Sequence, residues 1–253
     1  MKISVITAAY KSKSTVGDSI KSIAVQTHQD IEHLVIEGDS KDGTLEAIKV
    51  AFHNRMRLIS EPDGGVYDAL NKGLRSATGD VIGFMHSDDF LSHDGALAQV
   101  ASAFEDPAVE AVYSDLEYVS KIDKMNVIRH WSSGAFHPSR LKYGWMPAHP
   151  TLYLRREVYE RFGLYDQNML ISADYDFILR YFSKSPNNSI YIPEVLYKMR
   201  AGGASNRNFF NLVLKMKEDM IAIRRNRTGG FYTLIIKNLS KIGQFYVRFR
   251  RKI

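Results

Sequence analysis

The chain has 253 residues, 45% hydrophobic and 25% charged, a size that suits one α/β domain with a small appendage and allows a substantial buried core. Its lack of cysteine excludes disulfide frameworks and thiolate zinc sites, is compatible with a reducing cytoplasm, and leaves oxygen and histidine to hold any metal. The net charge of +6 is uneven: from Lys198 onward fourteen Lys and Arg face only Glu218 and Asp219, so an acidic body carries a basic tail. That balance argues against a nucleic-acid protein, basic all over, and for a local contact with anionic lipid or polyphosphate.

The N-terminus enters an apolar run at Ile3 after a single lysine, without the apolar core of an export signal, and no stretch approaches membrane-spanning length. The expected location is cytoplasmic. β-rich and helical patterns then alternate over 3–9, 15–26, 32–37, 44–53 and 56–60, which predicts a parallel sheet with crossover helices. Pro62, Gly64 and Gly65 mark a turn, 66–76 has helical spacing, and a strand over 81–85 follows, with Asp94 as the expected cap of the next helix. Ligands of open α/β sheets bind at the carboxyl ends of strands, so residues 8–10, 37–39, 60–63 and 87–89 are expected to converge on one crevice.

Beyond Phe104 the pattern predicts strands over 109–113 and 117–130, then an irregular segment over 131–150 of a length that usually serves function. A strand over 151–154, a helix over 156–162 closed by Gly163, a helix over 174–182, strands over 189–192 and 195–199, and a helix over 209–225 follow. Residues 229–253 interleave Phe231, Leu234, Ile235, Leu239, Ile242, Phe245 and Phe249 with Lys237, Lys241, Arg248, Arg250, Arg251 and Lys252, and contain no acid. That composition suits an amphipathic helix lying on an anionic membrane surface, and its aromatics would equally serve a second subunit in a homodimer or the body itself. The domain division expected is a catalytic part over 1–205, with halves 1–104 and 105–205, and a basic helical extension over 206–253.

The sharpest chemical feature is His86-Ser87-Asp88-Asp89, which ends the apolar run 81–85 with two adjacent carboxylates. Acids at the mouth of a sheet are tolerated where they meet a divalent cation, here Mg²⁺ or Mn²⁺. The plain alternative is a solvated turn.

Several ordered motifs together resemble the family-2 glycosyltransferases, inverting nucleotide-sugar enzymes of GT-A fold: ISVITAAYKS, VIEGDSKDGT, EPDGGVYDALNKG, HSDD in place of the DXD metal motif, and MPAHPTLYLRREVYERFGLYD followed by ISADYDFILR. EPDGGVYDALNKG in particular is similar to the subset that builds bacterial surface polysaccharides, such as the colanic acid type enzymes. The resemblance implies a Rossmann-like, mostly parallel sheet flanked by helices, a nucleoside diphosphate-sugar donor, and a nonprocessive hexosyl transfer in lipopolysaccharide or exopolysaccharide assembly. It places Ala8, Tyr10, Glu37, Asp39, Asp63, Asp68, Asn71, Lys72, Ser87 and Asp88 around the nucleotide sugar. Asp89 is then the expected metal ligand, because a cation at a strand end neutralises the departing diphosphate. Lys72 is expected either to reach a phosphate or simply to pair with Asp68 four residues earlier on its helix. The family often has two acids where this chain has Glu37-Gly38, and Asp39 is the expected substitute. Direct displacement needs a base opposite the leaving group, and the resemblance points to Asp174, with Asp176 as fallback and Ala173 where relatives carry Glu. His149, Trp131 and Trp145 are expected on the acceptor side, His149 also as a weaker metal ligand. A polyprenyl-linked saccharide acceptor would bring the enzyme to the inner face of the plasma membrane. A processive synthase is disfavoured by the lack of a QxxRW motif, and a dehydrogenase by the lack of GxGxxG after the first strand. A catalytically silent nucleotide-sugar-binding scaffold and a sugar-phosphate nucleotidyltransferase are the competing readings.

Overall fold

The computed structural model describes residues 1–185, 188–202 and 209–243. Chain order runs β1 (Ile3–Ala9), α1 (Val16–Ala24), β2 (Ile31–Glu37), α2 (Thr44–Val50), β3 (Met56–Ser60), α3 (Val66–Ser76), β4 (Val81–His86), β5 (Phe90–Leu91) and α4 (Ala96–Ala103). It continues through β6 (Ala111–Val119), β7 (Val127–Trp131), 3-10 turns at Pro138–Tyr143 and His149–Thr151, β8 (Tyr153–Arg155), α5 (Arg156–Phe162), α6 (Ala173–Phe182), β9 (Ser189–Arg200), α7 (Phe209–Arg225) and α8 (Phe231–Gly243). Among the described residues one sheet of nine strands has the order β3-β2-β1-β4-β8-β6-β9-β5, with β7 paired to β6.

The half formed by β3, β2, β1 and β4 is wholly parallel. β1, β2 and β4 are buried on both faces, so β1 and β4 read as nearly continuous apolar runs, while the edge strand β3 leaves Arg57 and Ser60 exposed. Ile6, Leu34, Ile36, Ile82 and Phe84 face α3, α5 and α6, while Ile3, Val5, Val81 and Met85 pack toward α4. Helix α3 lies so close that a Cβ on Gly73 would collide with Ile6 Cγ2. Beyond β4 the sheet is mixed: β8 runs antiparallel to β4 and β6, whereas β6 and β9 run parallel. The expected α/β architecture is present.

Three local expectations are corrected. The strand expected over 117–130 is a hairpin, because β6 ends at Val119 and Ser120 N–H bonds Asn126 O before β7 begins. The two strands expected around Pro193 are one strand, β9: proline removes a ladder donor, and the pairing register with β6 shifts at Ser114 and Asp115 without breaking the strand. Asp94 does not cap α4, which follows Gly95 without a side-chain cap; the Asp94 carbonyl instead accepts from Thr27. The irregular segment 131–150 has Leu141, Trp145 and Ala148 buried, with residues 137–139 and 142–143 exposed.

The extension is anchored to the body. Thr233 and Leu234 of α8 are buried, and the Thr233 hydroxyl donates to Lys142 O at 2.8 Å. Lys237, read from the sequence as a headgroup-facing cation, points inward: it is 2% exposed, pairs with Asp219 at 2.8 Å and lies 3.0 Å from the centre of the Tyr175 ring. The opposite side of α8 leaves Phe231, Tyr232, Ile235 and Leu239 exposed. Phe245, Arg248, Phe249, Arg250, Arg251 and Lys252 lie outside the described residues, as does the expected boundary at 205/206. Among the described residues no helix is long and apolar enough to cross a membrane.

Candidate active site

Register alone brings the four strand ends to one rim: Ala9 pairs with Glu37, Glu37 with Ser60, and Ala8 with His86. On the β1–β2 side the Tyr10 ring is 56% exposed. Gly38 is the floor beside it, since a Cβ there would run into Asp63 Oδ2 and lie 3.2 Å from the Tyr10 ring. Asp63 is held by the Gly65 N–H at 2.9 Å. Tyr10 and Asp63 therefore meet over the residue where relatives often carry a second acid. Glu37 is fully buried and its carboxylate accepts from Ser40 N–H at 2.6 Å, Ser60 Oγ at 2.6 Å and Asp39 N–H at 3.2 Å, so it braces the loop after β2. Asp39 has left-handed backbone and pairs with Lys41.

The acid turn after β4 gives its two carboxylates different surroundings. Asp89, expected to bind the metal, is fully buried; its carboxyl accepts the Arg200 N–H at 2.9 Å and the Tyr197 hydroxyl at 3.4 Å. Burial first, and the neighbouring Asp88 charge second, push its pKa well above the usual carboxylate range. It is the anchor of the turn. The Arg200 guanidinium completes the clamp by donating to Asp88 O and to Asp18 Oδ2 on α1. Ser87 and Asp88 are half-buried, and among the described residues no donor engages the Asp88 carboxylate. Asp88 thus offers the accessible oxygen atoms.

Asp174 stands in the first turn of α6, where its charge, like that of Asp88, reaches His86. The Tyr67 hydroxyl lies 2.7 Å from Ile171 O and 3.1 Å from Asp174 Oδ1. Glu218 of α7 fixes the approach to α6 by accepting the N–H groups of Leu170, Ile171 and Ser172 at 2.8, 2.9 and 2.8 Å, and Asp219 accepts the Ser172 hydroxyl. The Asp174 charge reaches both His86 and His149, raising their proton affinity, but burial outweighs it at each ring and holds His149 down at about 4. His149 is therefore a neutral ring, stacked on Phe84 at 5.3 Å and joined through Nε2 to the Tyr165 hydroxyl at 2.9 Å.

The remaining candidates are brought to structural tasks. Asp176 is fully buried and divides its carboxylate between Arg180 at 3.1 Å and Asn226 at 3.0 Å. Two residues along a helix is about 200° of rotation, which carries it away from Asp174. Trp145 is a core residue, its Nε1 donating to Ser133 O at 2.8 Å and its ring packed on Phe136 and Phe182. Trp131 is half-buried on β7 with the Arg129 guanidinium 5.5 Å from its ring. Both ends of the Asn71 amide bind the main chain of Tyr165. Lys72 is spent on Glu61 at 2.9 Å, Pro62 O at 2.7 Å and Asp68 at 3.6 Å, and Asp68 also accepts from Gly64 N–H and Gln167. These contacts join the turn before α3 and α3 itself to Tyr165 and Gln167. Tyr67, Tyr197, Arg200 and Glu218 were not singled out by sequence; Glu218 and Asp219, the only acids in a basic tail, were the available signal.

The family model for glycosyl transferase family 2 matches residues 4–174, more than half of the chain. The chain belongs to that family. Among curated relatives, a PGL/p-HBAD biosynthesis glycosyltransferase of Mycobacterium bovis is 34% identical over 191 residues, covering 74% of this chain and 72% of that protein. A Pyrobaculum calidifontis mannosyltransferase solved with GDP-Man and Mn²⁺ superimposes with a TM-score of 0.68 at 20% identity, covering 93% of this chain and 68% of that one. S. aureus TarS 1–349 with UDP-GlcNAc gives 0.66 at 17% identity over 88% of this chain and 66% of that one, and a further S. aureus TarS structure is matched over 40% of its chain. This family-2 glycosyltransferase has the GT-A fold and is a transferase. Among its described residues no cluster of three or more His, Asp or Glu encloses a cation site. A metal that shares its coordination with substrate phosphates needs only one or two protein carboxylates, and Asp88 fits that donor set.

Proposed function

We propose that this family-2 glycosyltransferase moves a sugar from a nucleoside diphosphate-sugar to a hydroxyl of a lipid-linked saccharide by direct displacement at the anomeric carbon. The carrying observation is a pair of carboxylates whose charges both reach His86 at the end of β4: Asp88, accessible on the β4 turn, and Asp174 at the start of α6. A divalent metal held by Asp88 would neutralise charge on the departing diphosphate. Tyr10 and Asp63 border the nucleotide, the ring offering a stacking face and the carboxylate an acceptor for a base N–H. Asp174 removes the acceptor hydroxyl proton as that oxygen bonds the anomeric carbon, and the electron pair of the breaking bond leaves with the nucleoside diphosphate. The charge of Asp174 reaches the buried rings of His149 and Tyr165. Support for the donor class comes from the GDP-Man and UDP-GlcNAc bound by the two structural neighbours. The exposed Phe231, Tyr232, Ile235 and Leu239 of α8 support docking on an anionic membrane, the basic residues beyond them adding attraction.

Purified protein incubated with UDP-, GDP- and dTDP-sugars, Mn²⁺ and membrane lipid extract tests the reading through nucleoside diphosphate release. Release that disappears with EDTA, with Asp88→Ala and with Asp174→Asn supports it. Tight donor binding without acceptor-dependent release in any combination would replace it with a silent binder. Co-sedimentation with phosphatidylglycerol vesicles, lost in Phe231→Ser/Ile235→Ser, tests the docking; equal recovery of both proteins would refute it.

A further inference from the structure

Tyr67 belongs to the turn-and-helix motif at the start of α3, far in sequence from Asp174, yet its hydroxyl sits between Ile171 O at 2.7 Å and Asp174 Oδ1 at 3.1 Å. Its ring is buried and tilted against Tyr165 at 5.8 Å, so the hydroxyl is held in place and can only rotate its proton. One hydroxyl has one proton and can also accept. With two acceptors in reach it must choose between them. We propose that Tyr67 is a positioning residue that serves Asp174 in both of its protonation states, donating to the carboxylate before transfer and accepting from the carboxylic acid after it.

This assignment rests on Asp174 being the base. While Asp174 is ionised, the Tyr67 proton points at Oδ1 and fixes the carboxylate rotamer. When the acceptor hydroxyl gives its proton to Asp174, the acid needs an acceptor, and the Tyr67 oxygen becomes one as its own proton turns to Ile171 O. No proton is created or lost. The acceptor oxygen gains its bond to the anomeric carbon, the diphosphate takes the electron pair, and the proton resides on Asp174. Ile171 O is available because its own peptide neighbours are fastened elsewhere: Glu218 holds the N–H groups of Leu170, Ile171 and Ser172. Burial first, then the Asp174 charge, keep the Tyr67 phenol protonated, which suits a partner that reorients rather than ionises. The other titratable groups around the pair are His86 at the end of β4, His149 before β8, Tyr165 after α5 and Glu218 on α7.

Tyr67→Phe removes the hydroxyl and keeps the ring. Using the donor that gives fastest release in the panel above, with membrane lipid extract as acceptor, kcat is expected to fall about tenfold while the donor KM stays, the effect of one hydrogen bond to a charged group. The acid limb of the kcat–pH profile should move up, because a donor to the charged form lowers a carboxyl pKa and its removal raises it. Replacing Tyr67 by 3-fluorotyrosine, a stronger donor of nearly the same shape, should move that limb down and keeps the test decisive if the phenylalanine variant does not fold. A Tyr67→Phe enzyme with unchanged kcat and pH profile, or a fluorotyrosine enzyme with an unmoved limb, overturns the proposal. If Asp174→Asn retains full turnover, the base assignment itself fails, a result independent of either Tyr67 variant.

Discussion

Lys237→Met isolates the contact that ties the C-terminal extension to the catalytic half. Lys237 is 2% exposed and Asp219 fully buried, with Lys215 at 2.5 Å as the second cation on the same carboxylate. Although burial raises it, the charges of Lys237 and Lys215 win and bring the Asp219 pKa from 3.8 down to about 2. That depression corresponds to roughly 2.5 kcal/mol of stability at neutral pH. Methionine keeps the stem that packs beside Gly144 but removes the ammonium. Breaking a buried pair outright costs about 3–5 kcal/mol; with Lys215 and the Ser172 hydroxyl retained, about 2 kcal/mol is expected. The pH dependence follows from the sign of the shift. A carboxyl whose folded pKa is depressed stabilises above its unfolded pKa, so the gap between the two proteins is full above about pH 4 and narrows toward pH 2. Urea unfolding near neutral pH and at about pH 3 measures it. A gap below about 0.5 kcal/mol, within the range of an exposed pair, or one that fails to narrow in acid would refute the reasoning.

Three further outcomes are expected. Gly38→Ala drives the Asp63 carboxylate away from Tyr10, so the KM for the nucleotide sugar should rise about tenfold with little change in thermal stability, as steady-state kinetics and calorimetry would show. His130, held between Asp115 at 3.4 Å and Glu117 at 3.8 Å, titrates at about 9; its contribution to stability is full below about pH 6.5 and lost as pH rises toward 9, and imidazole NMR of Asp115→Asn should find the midpoint lowered. Asp176→Asn should lower stability by about 2 kcal/mol and leave turnover in place, whereas Asp174→Asn should leave stability in place and abolish turnover, because only Asp176 is enclosed by Arg180 and Asn226, as urea unfolding and diphosphate release would show.

How much of this was legible in the chain depends on sequence distance. The parallel half was readable because β1, β2 and β4 are buried on both faces and the turn before α3 is punctuated by Pro62, Gly64 and Gly65; the bounds of β3, α3, α5 and α7 agree with the patterns. β9 was not, because Pro193 looks like a break and only the partner strand shows that the ladder passes it. The convergence of four strand ends followed from topology, yet the roles of Asp88 and Asp89 did not. Adjacent residues on a turn differ in orientation, and what decides theirs is a backbone N–H on Arg200, at the end of a strand more than a hundred residues away. The same holds for Asn71 and Lys72, whose polar ends meet Tyr165, Glu61 and Pro62. Lys237 was misread for a related reason: a periodic basic helix looks solvated until its acid partner, Asp219 on the preceding helix, is placed against it.

The anomeric configuration of the product is the most direct test of direct displacement by an acceptor hydroxyl activated by Asp174. Proton NMR of the first-formed linkage, read before mutarotation or further transfer, should show inversion relative to the donor sugar. Retention would require a nucleophile or an ion-pair intermediate that this crevice is not proposed to supply, and would contradict the account.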